Sequence, residues 1–179
     1  MRKKFNSKFI VRQGVIAALY VLMTVVPPLS NLSYGPIQLR LSEALTLLAF
    51  FNGEYIWGLT IGCFFANIFS PFGVLDIIVG TLASFLAAYF MSKCKNIWLS
   101  SIVPAIANIL VGIQLYFIGV SKTGVLIVTG QIMISEIIVV SLIGVPIFKM
   151  LIKNKVLVEY LKLNTKNKNL TINFKKMGK

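Results

Sequence analysis

The 179-residue chain has no histidine, two cysteines and five acidic residues. Without histidine it lacks the usual general base, the usual partner of a serine or cysteine nucleophile, and a common metal ligand. Cys63 and Cys94 are far apart, which indicates neither a Cys-x-x-Cys motif nor a disulfide framework. No glycine-rich phosphate loop is present. These absences argue against an enzyme, a metal site and ATP hydrolysis by this chain.

Charge is scarce as well, and apolar residues take its place. Charged residues make up 13% of the chain, whereas about 25% is usual in a soluble domain. Hydrophobic residues make up 57%, and the mean hydropathy is +0.85. Because a bilayer offers the backbone no water to hydrogen-bond, long apolar segments of this kind fold as helices. The composition therefore predicts an all-α integral membrane protein with one compact bundle.

Turn-forming residues divide the apolar sequence into six segments. Pro27 and Pro28 end the first segment, and Asn52 and Gly53 end the second. A helix that crosses a bilayer needs about 20 apolar residues, so the second segment is short, and five spans are the alternative if it is re-entrant. We predict six transmembrane helices, over residues 9–28, 41–51, 54–69, 74–92, 97–118 and 125–152.

The basic residues are distributed unevenly along this pattern. Of the 18 lysines and arginines, all but Arg40 and Lys122 fall in residues 1–12, in the connection after the fourth helix, or in residues 149–179. Such an excess marks cytoplasmic segments, so both termini are predicted to be cytoplasmic. This topology explains the net charge of +13 without a nucleic-acid partner. We predict a basic cytoplasmic arm (1–8), a six-helix transmembrane domain (9–152) and a basic, partly disordered cytoplasmic tail (153–179).

Polar side chains interrupt the predicted helices mainly in their outer halves. An ionisable group at membrane depth costs roughly 2.5–3.5 kcal/mol, so it is retained where it meets a partner, a cavity or a ligand. Glu136 is the clearest case, because it lies in mid-helix without a cation within one turn. The polar groups outline a funnel open to the outside. We predict a small-molecule site formed by Arg40, Glu43, Asn67, Asp76, Asn108, Gln114, Gln131 and Glu136.

Several of these residues have structural alternatives. Asp76 could cap the fourth helix, Arg40 and Glu43 could pair along one helical face, and the amides could join helices by hydrogen bonds. As a ligand site, carboxylates and amides suit a flat, nitrogen-rich heterocycle whose N–H groups they accept, and a second carboxylate suits an ammonium group. The candidates for a stacking face are Tyr34, Phe72, Tyr116 and Phe117.

Small residues on the first helix form a second predicted site. Gly14 and Ala18 are about one turn apart, and Ala17 adjoins them. Small side chains at this spacing allow another helix to approach closely within a membrane. We expect Gly14, Ala17 and Ala18 to form a partner-docking face.

Two segments carry a resemblance to a known family. The run GPIQLRLSEALTLL covers residues 35–48, and GCFFANIFSPFG covers residues 62–73, followed by Asp76 and by GTLA at residues 80–83. They resemble the QueT family of queuosine-precursor transporters, the substrate-binding S components of energy-coupling-factor (ECF) transporters. The resemblance extends over about residues 10–152.

This resemblance implies high-affinity capture of a queuosine precursor, 7-aminomethyl-7-deazaguanine, outside a bacterial cell membrane. It implies an ECF transmembrane coupling protein and two ATPase subunits as partners. Those subunits would hydrolyse the ATP, and the chain would deliver its substrate inward by reorientation with no cofactor of its own. An S component for riboflavin or a thiamine precursor is one alternative, and a non-transport membrane subunit or enzyme is another.

Within the predicted site we assign separate roles. Glu136 or Glu43 is expected to accept the guanine-like N–H donors, and Asp76 to meet the aminomethyl cation. The loop of residues 29–39 is expected to close over the ligand. The remaining edge of the ligand would be read by Asn67, Asn108 and Gln114.

Overall fold

The computed structural model describes residues 7–34, 38–119 and 124–165, and all regular structure within them is helical. The chain begins with α1 (Ser7–Val25) and the short α2 (Leu29–Ser33), then a 3-10 helix (Leu41–Thr46) that continues into α3 (Leu47–Phe51). Next come α4 (Tyr55–Ile68), α5 (Val74–Lys93), α6 (Ile97–Ala107) and α7 (Ile109–Phe117). One continuous stretch contains α8 (Val125–Glu136), a π-helix (Ile137–Gly144) and α9 (Val145–Leu151), and α10 (Lys155–Tyr160) follows.

Four of the described helical stretches are long and apolar enough to cross a membrane. Two shorter apolar stretches, Leu41–Phe51 and Tyr55–Ile68, coincide with the second and third predicted helices. The all-α class is confirmed for the described residues, whereas six spans with cytoplasmic termini remain a prediction. The four long stretches are Ser7–Val25, Val74–Lys93, Ile97–Phe117 and Val125–Leu151.

The structure corrects two features of the predicted helices. The first helix ends at Val25, before the two prolines, and the expected loop of residues 29–39 begins with α2. The fifth predicted helix is interrupted at Asn108, whose φ of −76° and ψ of 1° depart from α-helical values. Pro104 lies inside α6, and its ring and missing N–H weaken the helix around it. The interruption leaves Asn108 between two helical segments.

A close approach of two backbones joins α1 to α4. A Cβ added to Gly62 would lie 2.8 Å from Tyr20 Cβ and 3.0 Å from the Ala17 carbonyl oxygen. One turn earlier, the Gly58 amide donates a 2.9 Å hydrogen bond to Gln13 Oε1. Glycines of α4 therefore allow this contact, and the large apolar core surrounds it.

The residues after α10 pack against the turn between α3 and α4. The Tyr55 hydroxyl donates to the Leu161 carbonyl over 2.9 Å, and the Asn164 amide donates to the Phe51 carbonyl over 3.1 Å. Leu163 is buried beside them. The predicted division into arm, domain and tail is not tested by these contacts, and residues 1–6 and 166–179 lie outside the described part of the chain.

Candidate functional site

A polar stripe on α5 faces a polar stripe on α4. Asp76, Gly80 and Ser84 are spaced four residues apart and therefore share one face of α5. On α4, the Asn67 Nδ2 group donates to the Asp76 carbonyl over 3.1 Å and approaches Cys63 Sγ at 3.4 Å. A Cβ added to Gly80 would lie 2.6 Å from Asn67 Nδ2, so this glycine makes room for the amide.

The Asp76 end of this stripe contains a buried ion pair. Arg40 Nη2 lies 3.3 Å from Asp76 Oδ2, and Gln114 Nε2 donates to Asp76 Oδ1 over 3.4 Å. Burial acts to lower the pKa of Arg40, but Asp76 together with Tyr20, Cys63 and Glu43 raises that pKa overall, which keeps the guanidinium charged. Asp76 is fully buried, and the hydrogen bonds that the described residues make to its carboxylate come from the Arg40 and Gln114 side chains, not from backbone amides at the start of α5.

This ion pair replaces the pairing of Arg40 with Glu43 that sequence spacing allowed. Arg40 precedes the 3-10 helix in an extended conformation, with φ of −86° and ψ of 96°, so it does not share a helical face with Glu43. The Arg40 guanidinium instead lies 5.5 Å from the centre of the Tyr34 ring. The Tyr34 hydroxyl donates to the Ala66 carbonyl over 2.7 Å, and burial raises the pKa of that hydroxyl. Tyr34 and Arg40 thus tie the chain before the 3-10 helix to α4 and α5.

Glu43 lies among α1, α4 and α5. Its Oε1 atom accepts a hydrogen bond from the Tyr20 hydroxyl and one from Ser84 Oγ at 3.4 Å. Ser84 Oγ is also 3.1 Å from Cys63 Sγ. Sequence reasoning missed Tyr20. The available signal was that Tyr20 and Thr24, two polar side chains in an apolar helix, are one turn apart and so share a face. The Thr24 hydroxyl lies 2.7 Å from the Ser42 hydroxyl.

A second buried carboxylate lies at the end of α8. Asn108 Nδ2 donates to Glu136 Oε1 over 2.6 Å, so the break between α6 and α7 positions the amide that holds this carboxylate. Glu43 is on the 3-10 helix, which packs against the π-helix that follows Glu136. The structure therefore places the two predicted glutamates on adjoining elements.

Four polar atoms of these side chains are buried and have no hydrogen-bond partner among the described residues. A buried polar atom left unpaired costs about 1–3 kcal/mol, and more if it is charged. One of the four is a donor and three are acceptors. They are Arg40 Nε, Asn67 Oδ1, Gln114 Oε1 and Glu136 Oε2. A ligand rich in N–H groups would satisfy the three acceptors.

Gln131 does not belong to this group, although the sequence placed it there. Its side chain is exposed, whereas Ile132 and Glu136 on the same helix are buried. Gln131 is five residues from Glu136, and a helix turns by about 100° per residue, so the two side chains point about 140° apart around the axis of α8. Two of the stacking candidates are also exposed, Tyr116 by 42% and Phe117 by 81%.

The predicted docking residues of α1 separate into two faces. Ala17 is buried against Gly62, whereas Gly14 and Ala18 are exposed. Nothing lies within 4 Å of a Cβ added to Gly14. Ala17 therefore serves packing inside the chain, and a docking face on α1 would use Gly14 and Ala18 without it.

Within the described ranges, no three cysteine, aspartate or glutamate side chains form a potential metal site.

Comparison with known proteins identifies the family. The family model described as QueT transporter matches residues 10–153. The "Queuosine precursor transporter QueT" of Lactococcus lactis subsp. cremoris (strain MG1363) is 50% identical over 82 residues, which are 46% of this chain and 48% of that protein. The chain thus spans about half the length of this curated relative, and no solved structure matches it. With four described helices long and apolar enough to cross a membrane, the chain is a multi-pass bacterial membrane protein, and it belongs to the QueT transporter family.

Proposed function

We propose that the protein is the substrate-binding S component of an ECF-type importer for a queuosine precursor, 7-aminomethyl-7-deazaguanine. It captures the compound outside and delivers it inward by reorientation against an energy-coupling module. The name of the Lactococcus relative supports the substrate class. The residues assigned to binding are Arg40, Glu43, Asn67, Asp76, Asn108, Gln114 and Glu136.

The observation that carries the proposal is the set of buried, unpartnered acceptors. Among the described residues, no donor reaches Glu136 Oε2, Asn67 Oδ1 or Gln114 Oε1. A 7-deazaguanine ring supplies N–H donors on more than one edge, and an aminomethyl group adds a cation with three more. Tyr34 offers an aromatic ring on the Arg40 side of the site. The chemistry of ligand and site is therefore complementary.

For topology we propose six spans with both termini cytoplasmic. The two helical stretches shorter than a usual span, Leu41–Phe51 and Tyr55–Ile68, are apolar. Leu41–Phe51 is also almost wholly covered by its neighbours, and its shortness is tolerable because it is surrounded by protein more than by lipid. Lysine and arginine asymmetry supports the orientation.

For energy coupling we propose an ECF transmembrane coupling protein and two ATPase subunits, with no cofactor bound by the S component itself. The exposed side of α1 that bears Gly14 and Ala18 is the docking face.

Gly14→Leu should leave substrate binding by the isolated protein unchanged and reduce uptake by cells that contain the whole transporter. Unchanged uptake at equal expression would contradict this face.

The function is tested by melting curves of the detergent-solubilised protein with 7-aminomethyl-7-deazaguanine, riboflavin, a thiamine precursor or guanine. We expect stabilisation by the deazaguanine, because a ligand that binds only the folded state shifts unfolding by mass action. A shift with a vitamin alone would retain an S component and overturn its substrate. No shift with any compound would return the buried carboxylates to a structural role.

A further inference from the structure

The negative charge of Asp76 is already neutralised by a cationic side chain of the protein. Its Oδ2 atom lies 3.3 Å from the Arg40 guanidinium, and its Oδ1 atom accepts from Gln114 over 3.4 Å. Both oxygens therefore have a partner, and the charge of the pair is neutral. A cationic ligand group at Asp76 would have to compete with Arg40.

Within the part of the chain that the structure describes, the carboxylates of Glu43 and Glu136 have hydrogen-bond partners on only one of their two oxygens. Both hydrogen bonds to Glu43 end on Oε1, and Glu136 also accepts its bond from Asn108 on Oε1. Among the described residues, Glu136 Oε2 is buried without a hydrogen-bond partner, and neither of the two hydrogen bonds to Glu43 ends on its Oε2 atom. Each glutamate is thus oriented by one oxygen and leaves the other available.

The same two glutamates occupy adjoining elements. Glu43 is on the 3-10 helix, which packs against the π-helix that begins directly after Glu136. Arg40 lies three residues before Glu43, and Asp76 already engages its guanidinium. With three carboxylates and one guanidinium, the fully ionised group carries two unbalanced negative charges.

We propose that Glu43 and Glu136 form the cation-recognition end of the binding site and receive the primary ammonium group of the substrate. The inference rests on the proposed function and reverses the roles predicted from the sequence, which gave the ammonium to Asp76. An ammonium group has three donors and no acceptor, which matches two free carboxylate oxygens. Asn67 Oδ1 and Gln114 Oε1 remain for N–H groups of the ring.

This arrangement selects charge as well as shape. Two carboxylates in a poorly solvated site repel each other, and a cation between them converts the repulsion into attraction. A neutral group of the same size would leave the repulsion in place. The site is therefore expected to prefer a cationic substituent over a neutral isostere.

The test compares 7-aminomethyl-7-deazaguanine with its neutral isostere, 7-hydroxymethyl-7-deazaguanine, by equilibrium titration of the full-length protein. The wild type should bind the amine roughly 10- to 100-fold more tightly. Glu43→Gln and Glu136→Gln should each reduce that ratio about tenfold or more. Asp76→Asn should keep the ratio within about threefold, even where it weakens both ligands. Because both ligands are measured on one preparation, the ratio does not depend on the folded fraction.

The wild-type ratio keeps the inference testable if a variant does not fold. Equal wild-type affinity for amine and isostere would overturn the inference and leave the proposed function intact. Loss of the preference in Asp76→Asn, with the preference retained in both glutamine variants, would likewise overturn it. Failure of the wild type to bind either compound would overturn the proposed function and the inference with it.

Discussion

Small residues act in opposite ways on the two sides of α4. Toward α1, Gly58 and Gly62 bring backbones into contact, and the one side-chain amide involved bonds a backbone N–H. Toward α5, Gly80 makes room for Asn67, whose Oδ1 atom has no partner among the described residues. The first contact joins two helices of the fold. The second leaves a buried polar atom unpaired, which the proposed function assigns to a ligand.

The largest loss of stability should come from breaking the buried ion pair between Arg40 and Asp76. Arg40→Met leaves the fully buried Asp76 carboxylate without its cation. Breaking a buried ion pair from one side costs about 3–5 kcal/mol. We expect a strong fall in the midpoint of thermal unfolding in detergent.

A double variant is the control for this effect. Arg40→Met combined with Asp76→Asn removes both charges and should recover most of the lost midpoint, since the cost lies in an unpaired charge and not in lost packing. A double variant as unstable as Arg40→Met alone would mean that Arg40 acts through packing.

The next largest effect belongs to the α1–α4 contact. Gly62→Leu inserts a side chain where even a Cβ would lie 2.8 Å from Tyr20 Cβ and 3.0 Å from a backbone oxygen. Overpacking of this kind costs about 1–3 kcal/mol and occasionally more. The unfolding midpoint should fall. Gly14→Leu is the matched control, because nothing lies within 4 Å of its added Cβ, and it should leave the midpoint unchanged.

A smaller effect, on binding more than on stability, is expected at Gly80. The atom nearest to an added Cβ is Asn67 Nδ2, at 2.6 Å, and it ends a side chain that can shift. Gly80→Ala should weaken binding of the deazaguanine by about three- to tenfold, the loss of one hydrogen bond. Titration together with a ligand-free melting curve measures both quantities. Unaltered affinity would remove Asn67 from the binding residues.

Much of the fold is accessible from the sequence because it depends on local signals. Prolines, Asn52 and Gly53 separate the helical segments, and apolar length identifies the long ones. The rarity of charged and polar residues in apolar helices also identifies side chains that need a buried partner or a ligand. That reasoning finds Glu43, Asp76, Asn108 and Glu136, all of which are buried.

Pairings between these residues are not accessible from the sequence, because they depend on how distant elements meet. Arg40 and Asp76 are 36 residues apart, and Tyr20 and Glu43 are 23 apart. The exposure of Gln131 and the burial of Ala17 depend on helix rotation. Hydrophobic periodicity defines that rotation poorly when a helix is apolar all round.

The most direct measurement is the dissociation constant of 7-aminomethyl-7-deazaguanine for the wild type, Glu136→Gln and Gln131→Ala. We predict wild-type binding, a loss of about 10- to 100-fold in Glu136→Gln, and no change in Gln131→Ala, since Glu136 is buried with an unpartnered oxygen and Gln131 is exposed. Ligand-free melting curves verify that each variant is folded. Equal affinity of the wild type and Glu136→Gln would contradict a substrate site built on the buried carboxylates.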